Sequence, residues 1–319
     1  MRGEASDTRS GQVSAVSAAQ RALKLTTSPQ QRLRLSAREA RLWLKASEFQ
    51  RAGTLADSIL RNHEVTTSDE ALELIGLAAM TGRIRQTAQL ARVGGWQHPS
   101  TSVAMAAPVV DAAANFFARA ALGACDDETV SSEHQLDSAL QSYVPENKRA
   151  EIRGVLATRA FSLLTPCTQG KSALRIVSPR DRLYRMQQAF ARGDLRSVRA
   201  TVDTLSDMRR ASRPGDLTLD YTYQEAWLKM AMGDTAGAIQ QLDLALGALP
   251  ILSGIALKEV GAAAAVGRAI ALRAELANSQ HDASAAKKWA AAFVALWSGA
   301  DAELQPSVSR MRELAGLKK

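Results

Sequence analysis

The sequence predicts an all-α protein, and three observations support this prediction. Ala, Leu and Arg are the most frequent residues, and aromatic residues make up only 5% of the chain. Val, Ile and Thr do not alternate with polar residues at the period of two that half-buried strands show. Apolar residues instead recur at helical spacing in segment after segment. The 319 residues, 46% of them apolar, suffice for one extended domain or two compact ones.

The clearest helical hairpin lies within residues 221–250. Its first helix is predicted to end at Gly233, and Asp234 is the predicted N-cap of the second helix, since its carboxylate can accept hydrogen bonds from free backbone N–H groups. Pro250 closes the second helix. A single hairpin cannot bury its own apolar face, so neighbouring hairpins are expected. The apolar stripe of the second helix comprises Ala238, Leu242, Ala245, Leu246 and Leu249.

The turn of this hairpin recurs along the chain as a small residue, an acidic residue and then, five positions after the first, an alanine. The five predicted turns begin at Ser47, Gly82, Gly193, Gly233 and His281. Three copies depart from the pattern. The turn at Gly82 has Arg83 in place of the acid and Thr87 in place of alanine, the turn at Gly193 has Val198 in place of alanine, and His281 replaces the small residue in the last turn.

The other helices and the domain boundaries follow from turn and proline signals. Residues 1–11 are predicted to form a disordered tail, 12–164 an N-terminal array of helical hairpins, 165–179 a dividing loop, and 180–319 a C-terminal array. Residues 103–124 are predicted to form a buried helix pair, because their polar residues argue against a membrane span. Further helices are predicted at 13–25, 31–45, 52–62, 69–80, 84–93, 149–164, 180–191, 252–276, 285–296 and 306–317.

The hairpin pattern resembles the tetratricopeptide repeat, a pair of helices of about 34 residues. Gly233 and Asp234 match its turn, and the stripe from Ala238 to Pro250 matches its second helix. Glu225 and Lys229 stand where the first helix usually has Leu and Tyr, so the repeats are degenerate. The resemblance covers residues 180–309 and, loosely, 31–93. It implies an α-solenoid of about seven stacked hairpins with an extended concave surface.

The C-terminal region carries a second resemblance. Residues 271–276, the segment 289–297 and residues 299–306 resemble the end of the repeat regions that follow the catalytic domain in bacterial serine/threonine kinases of eukaryotic type. This resemblance implies a sensory or docking module. The sequence contains no Gly-rich phosphate loop and no VAIK, HRD or DFG motif, so kinase activity is not predicted.

The net charge of +8 is unevenly distributed. Residues 1–62 contain 11 basic and 5 acidic residues, and residues 171–213 contain 11 and 4. Such basic segments favour an acidic protein surface as partner, with an anionic membrane surface or nucleic acid as alternatives. The simpler interpretation is that arginine side chains cover the solvent faces of helices. The candidate partner-binding residues are Arg32, Arg34, Arg38, Arg41, Arg182, Arg185, Arg192, Arg196 and Arg199.

Motifs for catalysis or metal binding are not found. The four histidines do not form HExxH or zinc spacings. The acidic segment 126–137 fits no calcium loop. Ser284 and Lys287 spell an S-x-x-K motif without its companion motifs. The sequence therefore predicts neither an enzyme nor a cofactor or metal site.

The aromatic and cysteine residues complete the prediction. Trp289, Phe293 and Trp297 form one helical stripe that is expected to pack in the core. Cys125 and Cys167 form no CxxC pair, and residues 1–20 lack an apolar signal region, so a cytoplasmic location is expected.

The predicted function is a non-catalytic protein-binding scaffold, an accessory or structural subunit that docks onto a larger protein assembly. The alternative is a sensory or regulatory module of a bacterial serine/threonine kinase system. Two weaker alternatives are a helical enzyme and a nucleic-acid binder. The latter lacks the aromatic interleaving and motifs of that class.

Overall fold

The structure, a computed structural model, describes residues 2–94, 106–124, 126–149, 186, 189–190, 192–210 and 219–317. Every regular element within these ranges is helical, which confirms the predicted all-α class. None of the helices described combines the length and the apolar character that a membrane span requires. The predicted loop 165–179, the predicted helix 149–164 beyond Arg149, and both cysteines lie outside these ranges.

Three short 3-10 turns accompany the α-helices, at Leu249–Ile251, Ala256–Lys258 and Ala302–Leu304. The α-helices, numbered here in chain order, are α1 (Arg2–Leu25), α2 (Pro29–Lys45), α3 (Phe49–Asn62), α4 (Ser68–Met80), α5 (Ile84–Val93), α6 (Ala107–Leu122), α7 (Asp127–Tyr143), α8 (Leu195–Arg210), α9 (Leu219–Ala231), α10 (Thr235–Gly247), α11 (Val260–Ser279), α12 (Ala283–Trp297) and α13 (Gln305–Ala315).

Three boundaries differ from the prediction. Helix α1 begins at Arg2 and so includes most of the predicted disordered tail, a segment without proline to interrupt a helix. In the region predicted as a helix pair, the described residues form the single helix α6, with Pro108 in its first turn, where proline is tolerated. Helix α11 begins only at Val260, because Pro250 and Gly254 precede it and the chain there forms 3-10 turns.

All five predicted turns have the same backbone conformation. Their first residues adopt positive φ angles of 61° at Ser47, 76° at Gly82, 75° at Gly193, 83° at Gly233 and 58° at His281. In each turn the N–H of the next residue donates to the carbonyl five positions back, as from Asp234 to Lys229 O at 2.8 Å. This left-handed helix end satisfies carbonyls that the helix leaves free. The repeated turn is therefore confirmed as a structural unit.

Two further residues of the turn orient the second helix. Asp234 accepts a hydrogen bond from the N–H of Gly237 at 2.9 Å, and Asp282 accepts one from Ala285 at 3.0 Å. The fifth residue after the turn start is at most 1% exposed in every copy, because it faces the preceding helix of the hairpin. These residues are Ala52, Thr87, Val198, Ala238 and Ala286.

Replacing Gly82 with alanine is expected to lower the free energy of unfolding by about 2 kcal/mol, through left-handed strain and overpacking. A β-carbon there would lie 2.7 Å from Ala300 Cβ. The matched control is Gly233→Ala, whose φ is also positive but whose β-carbon would meet nothing within 4 Å. That variant should lose only about 1 kcal/mol. Urea denaturation measures both, and equal losses would show that the contact at Gly82 adds nothing.

Helix α11 joins the two predicted arrays. It is buried over 15 of its 20 residues, and it packs against α12, α9 and α10 on the C-terminal side and against α4 and α6 on the N-terminal side. Helix α12 also packs against α3. One hydrophobic core extends from Leu33 to Ala315 and contains residues of both arrays. Helices that the sequence assigned to separate arrays thus lie side by side.

Glycines allow these helices to approach closely. A β-carbon at Gly53 of α3 would lie 2.7 Å from Ala295 O of α12, one at Gly76 of α4 would collide with the backbone of Leu257, and one at Gly267 of α11 would collide with the indole of Trp297. The predicted burial of the aromatic stripe is confirmed. Phe293 and Trp297 are 1% and 2% exposed, and Trp289 packs partly buried against the core.

Candidate functional site

Four basic residues form one stripe on α2. Arg34, Arg38, Arg41 and Lys45 occupy positions i, i+4, i+7 and i+11, which lie on the same face of a helix. This face forms one wall of a cleft of about 430 Å³, here called the basic cleft. Its lining residues are Arg34, Leu35, Arg38, Arg41, Leu42, Lys45, Glu73, Gly254, Ile255 and Lys258. Five of them are cations, and Glu73 is the single acid among them.

Glu73 of α4 holds two of these cations in place. Arg41 donates from Nη2 to Glu73 Oε2 at 2.9 Å and from Nη1 to the backbone carbonyl of Glu73 at 3.0 Å. Lys258 donates to the other carboxylate oxygen, Oε1. Gly76, one turn along α4, permits the close backbone approach that brings Lys258 to this point. Arg41 is only 5% exposed, so its charge is buried, whereas its partner Glu73 is partly buried.

Burial and neighbouring charges shift the pKa values of three groups in the basic cleft. Burial opposes ionisation of Glu73, but the hydrogen bonds and charges of Lys258 and Arg41 outweigh it and lower the pKa of this carboxyl. Burial lowers the pKa of Lys45, and the nearby charge of Arg38 lowers it further. The pKa of Arg41 is lowered chiefly by burial, and the charge of Arg38 also lowers it. The charge of Arg38 therefore disfavours the charged forms of Arg41 and Lys45.

Two of the five cations lack an acidic neighbour among the residues that the structure describes. Within the described part of the chain, neither Arg38 nor Lys45 has a carboxylate within salt-bridge distance. Arg34 pairs with Asp69 at 3.1 Å, but both side chains are about half exposed or more, so the pair contributes little. Five positive charges against one lining carboxylate leave the basic cleft with an excess of four, and an anion is the ligand that this excess favours.

Replacing Arg38 with glutamine is expected to raise the free energy of unfolding by about 0.5 kcal/mol, because it removes like-charge repulsion along α2. The measurement is thermal or urea unfolding at low ionic strength. The gain should shrink as salt is added, since salt screens exposed charges. Lys287→Gln on α12 is the control, an exposed cation outside the cleft that should leave stability unchanged. Destabilisation by Arg38→Gln would contradict the prediction.

The other candidate arginines lie elsewhere. Arg32 donates to Thr26 O at 3.4 Å at the start of α2, and Arg199 donates to Met232 O at 3.4 Å from α8. Arg192 and Arg196 are exposed beside Asp194. Hydrogen bonds from Ser197 are the main cause of a lowered pKa at the Asp194 carboxyl. The charges of Arg192 and Arg196 lower this pKa further. Arg182 and Arg185 lie outside the described residues. The basic cleft thus gathers Arg34, Arg38 and Arg41 from the predicted set.

The sequence prediction missed Lys45, Glu73 and Lys258. Lys45 continues the stripe seven residues after Arg38, so helical spacing could have revealed it. No local pattern could have revealed the pairing of Glu73 with Lys258, since 185 positions separate them in the chain.

The acidic segment 126–137 takes part in helix capping and ion pairs. Asp126 caps α7 by accepting from the N–H of Thr129 at 2.9 Å, and Asp126 and Glu128 both pair with the buried Arg119. In the ranges that the structure covers, no three His, Cys, Asp or Glu residues are placed to hold a metal ion.

Fold and site together define an all-helical protein whose helices pack in adjacent pairs and which carries a basic cleft beside α2. Comparison with protein-family models, with curated proteins and with solved structures found no match to this chain.

Proposed function

We propose that the chain is a non-catalytic scaffold that binds another protein through an acidic region of that partner, as an accessory subunit of a larger assembly in the cytoplasm. The observation that carries this proposal is the unbalanced charge of the basic cleft, where Arg38 and Lys45 have no acidic neighbour among the described residues. Natural proteins tolerate such destabilising charge at sites where it serves function.

The architecture we propose is a degenerate tetratricopeptide-like solenoid. The five turns of identical conformation support it, because each ends one helix and starts the next in the same way. The two arrays pack on each other through α4 and α11, so the faces that meet there are covered by the chain itself. The partner is therefore expected on an outer face, and α2 supplies one with the required charge.

The test is purification of the tagged full-length chain from its native cells at low salt and without crosslinking. The expected result is one protein that co-elutes in fixed stoichiometry and is released by about 0.5 M salt, since screening weakens contacts between exposed charges. A chain that elutes alone as a monomer would contradict the scaffold. Recovery of a serine/threonine kinase as the partner would favour the sensory-module alternative.

A further inference from the structure

We propose that the basic cleft binds an extended acidic peptide segment with an apolar residue between its carboxylates, and that Arg38 and Lys45 pair with those carboxylates. The proposal rests on the proposed function, because it names the part of the partner that this scaffold recognises.

The spacing of the free cations fits such a segment. Seven residues separate Arg38 from Lys45, which places their backbones about 10 Å apart along the helix axis. About three residues of extended chain span the same length. Arg41 and Lys258 are held by Glu73, whereas Arg38 and Lys45 have no carboxylate within salt-bridge distance among the described residues.

The apolar part of the cleft favours a peptide over a phosphate chain. Leu35, Leu42 and Ile255 also line the cleft, and Ile255 is 71% exposed, an unusual position for a large aliphatic side chain. An apolar side chain of the ligand would cover Ile255. The lining contains no aromatic ring for base stacking. These features favour an acidic peptide.

Fluorescence anisotropy with a labelled Glu-Glu-Leu-Glu-Glu peptide and the full-length chain tests the proposal. Saturable binding that weakens with salt is expected, and Arg38→Gln and Lys45→Gln should each weaken it about five-fold, the equivalent of one charge pair near a protein surface. Ile255→Ser should also weaken binding of this peptide, but not of a Glu-Glu-Ser-Glu-Glu peptide. Lys287→Gln on α12 is the charge-matched control and should leave binding unchanged.

The stability of the same variants separates binding from folding. Because Arg38→Gln is expected to stabilise the chain, weaker peptide binding by this variant cannot arise from unfolding. A residue with a purely structural role would lose stability and binding together.

Two further arms decide between ligand classes. If a labelled single-stranded oligothymidylate binds more tightly than the peptide and is weakened by the same substitutions, the cleft binds nucleic acid and the proposal is overturned. Inorganic phosphate at millimolar concentration should not displace the peptide, and displacement would make the cleft a phosphate site. Peptide binding that is insensitive to both Arg38→Gln and Lys45→Gln would also overturn it.

The last test uses the complex of the chain with its partner, purified from native cells. Co-elution of the partner should be lost in the Arg38→Gln/Lys45→Gln double variant and retained in Lys287→Gln. A partner that stays bound to the double variant would show that the basic cleft is not the binding site, while the scaffold function would still stand. Failure of the wild-type chain to bring down any partner would instead contradict the scaffold function.

Discussion

Replacing Trp297 with alanine is expected to lower the free energy of unfolding by about 4 kcal/mol, the largest loss that we predict for a single substitution. The indole is 2% exposed, and its Nε1 donates to Met80 O at 3.0 Å, at the end of α4. The ring also contacts Phe293 at a centroid distance of 4.8 Å. The substitution would leave a cavity where α4, α11 and α12 meet, so both halves of the chain should be affected.

Two control variants separate volume from hydrogen bonding. Trp289→Ala removes an indole from the same face of α12, two turns earlier, where the ring is only partly buried, and should cost about 1–2 kcal/mol. Trp297→Phe keeps most of the ring volume but leaves Met80 O without the indole donor, which should cost about 1–2 kcal/mol. Urea denaturation measures all three losses. A loss for Trp297→Ala no larger than for Trp289→Ala would show that the junction of the two halves does not depend on this ring.

The helices and the repeated turns could be predicted because their signals are local. A residue able to adopt positive φ, an acid that caps the next helix in three of the five turns, and a buried residue five positions after the first all lie within six residues. Ser47 and His281 show that the pattern specifies the conformation even where glycine is absent, since both adopt positive φ.

The packing of the two arrays could not be predicted, because it depends on contacts between residues far apart in sequence. Gly76 appears in the sequence as an ordinary helix residue, yet it permits the backbone of Leu257 to approach α4. The sequence shows the stripe of arginines on α2, but it does not show which of them are buried and which are exposed. Arg41 is buried against Glu73, whereas Arg38 is exposed, and only the position of α4 distinguishes them.

Replacing Glu73 with glutamine is the second large effect that we predict, a loss of about 3 kcal/mol at pH 7, because the variant leaves the buried charge of Arg41 without its partner. Arg41 is 5% exposed and Lys258 shares the same carboxylate, so two cations lose their common anion. The measurement is urea denaturation at neutral pH. The double variant Arg41→Met/Glu73→Met is the control, and it should recover part of the loss because it leaves no unpaired buried charge.

The pH dependence of this loss identifies its cause. The pKa of Glu73 is lowered in the folded chain, so the folded state binds fewer protons at this site than the unfolded state. The stabilisation by the ionised carboxylate is therefore fully present above the unfolded pKa of about 4.3 and is lost as the pH falls through the lower folded pKa. The difference in stability between wild type and Glu73→Gln should narrow as the pH falls below about 4. A difference that stays constant down to the acid transition would mean that Glu73 acts by packing, and the electrostatic account of the basic cleft would then be wrong.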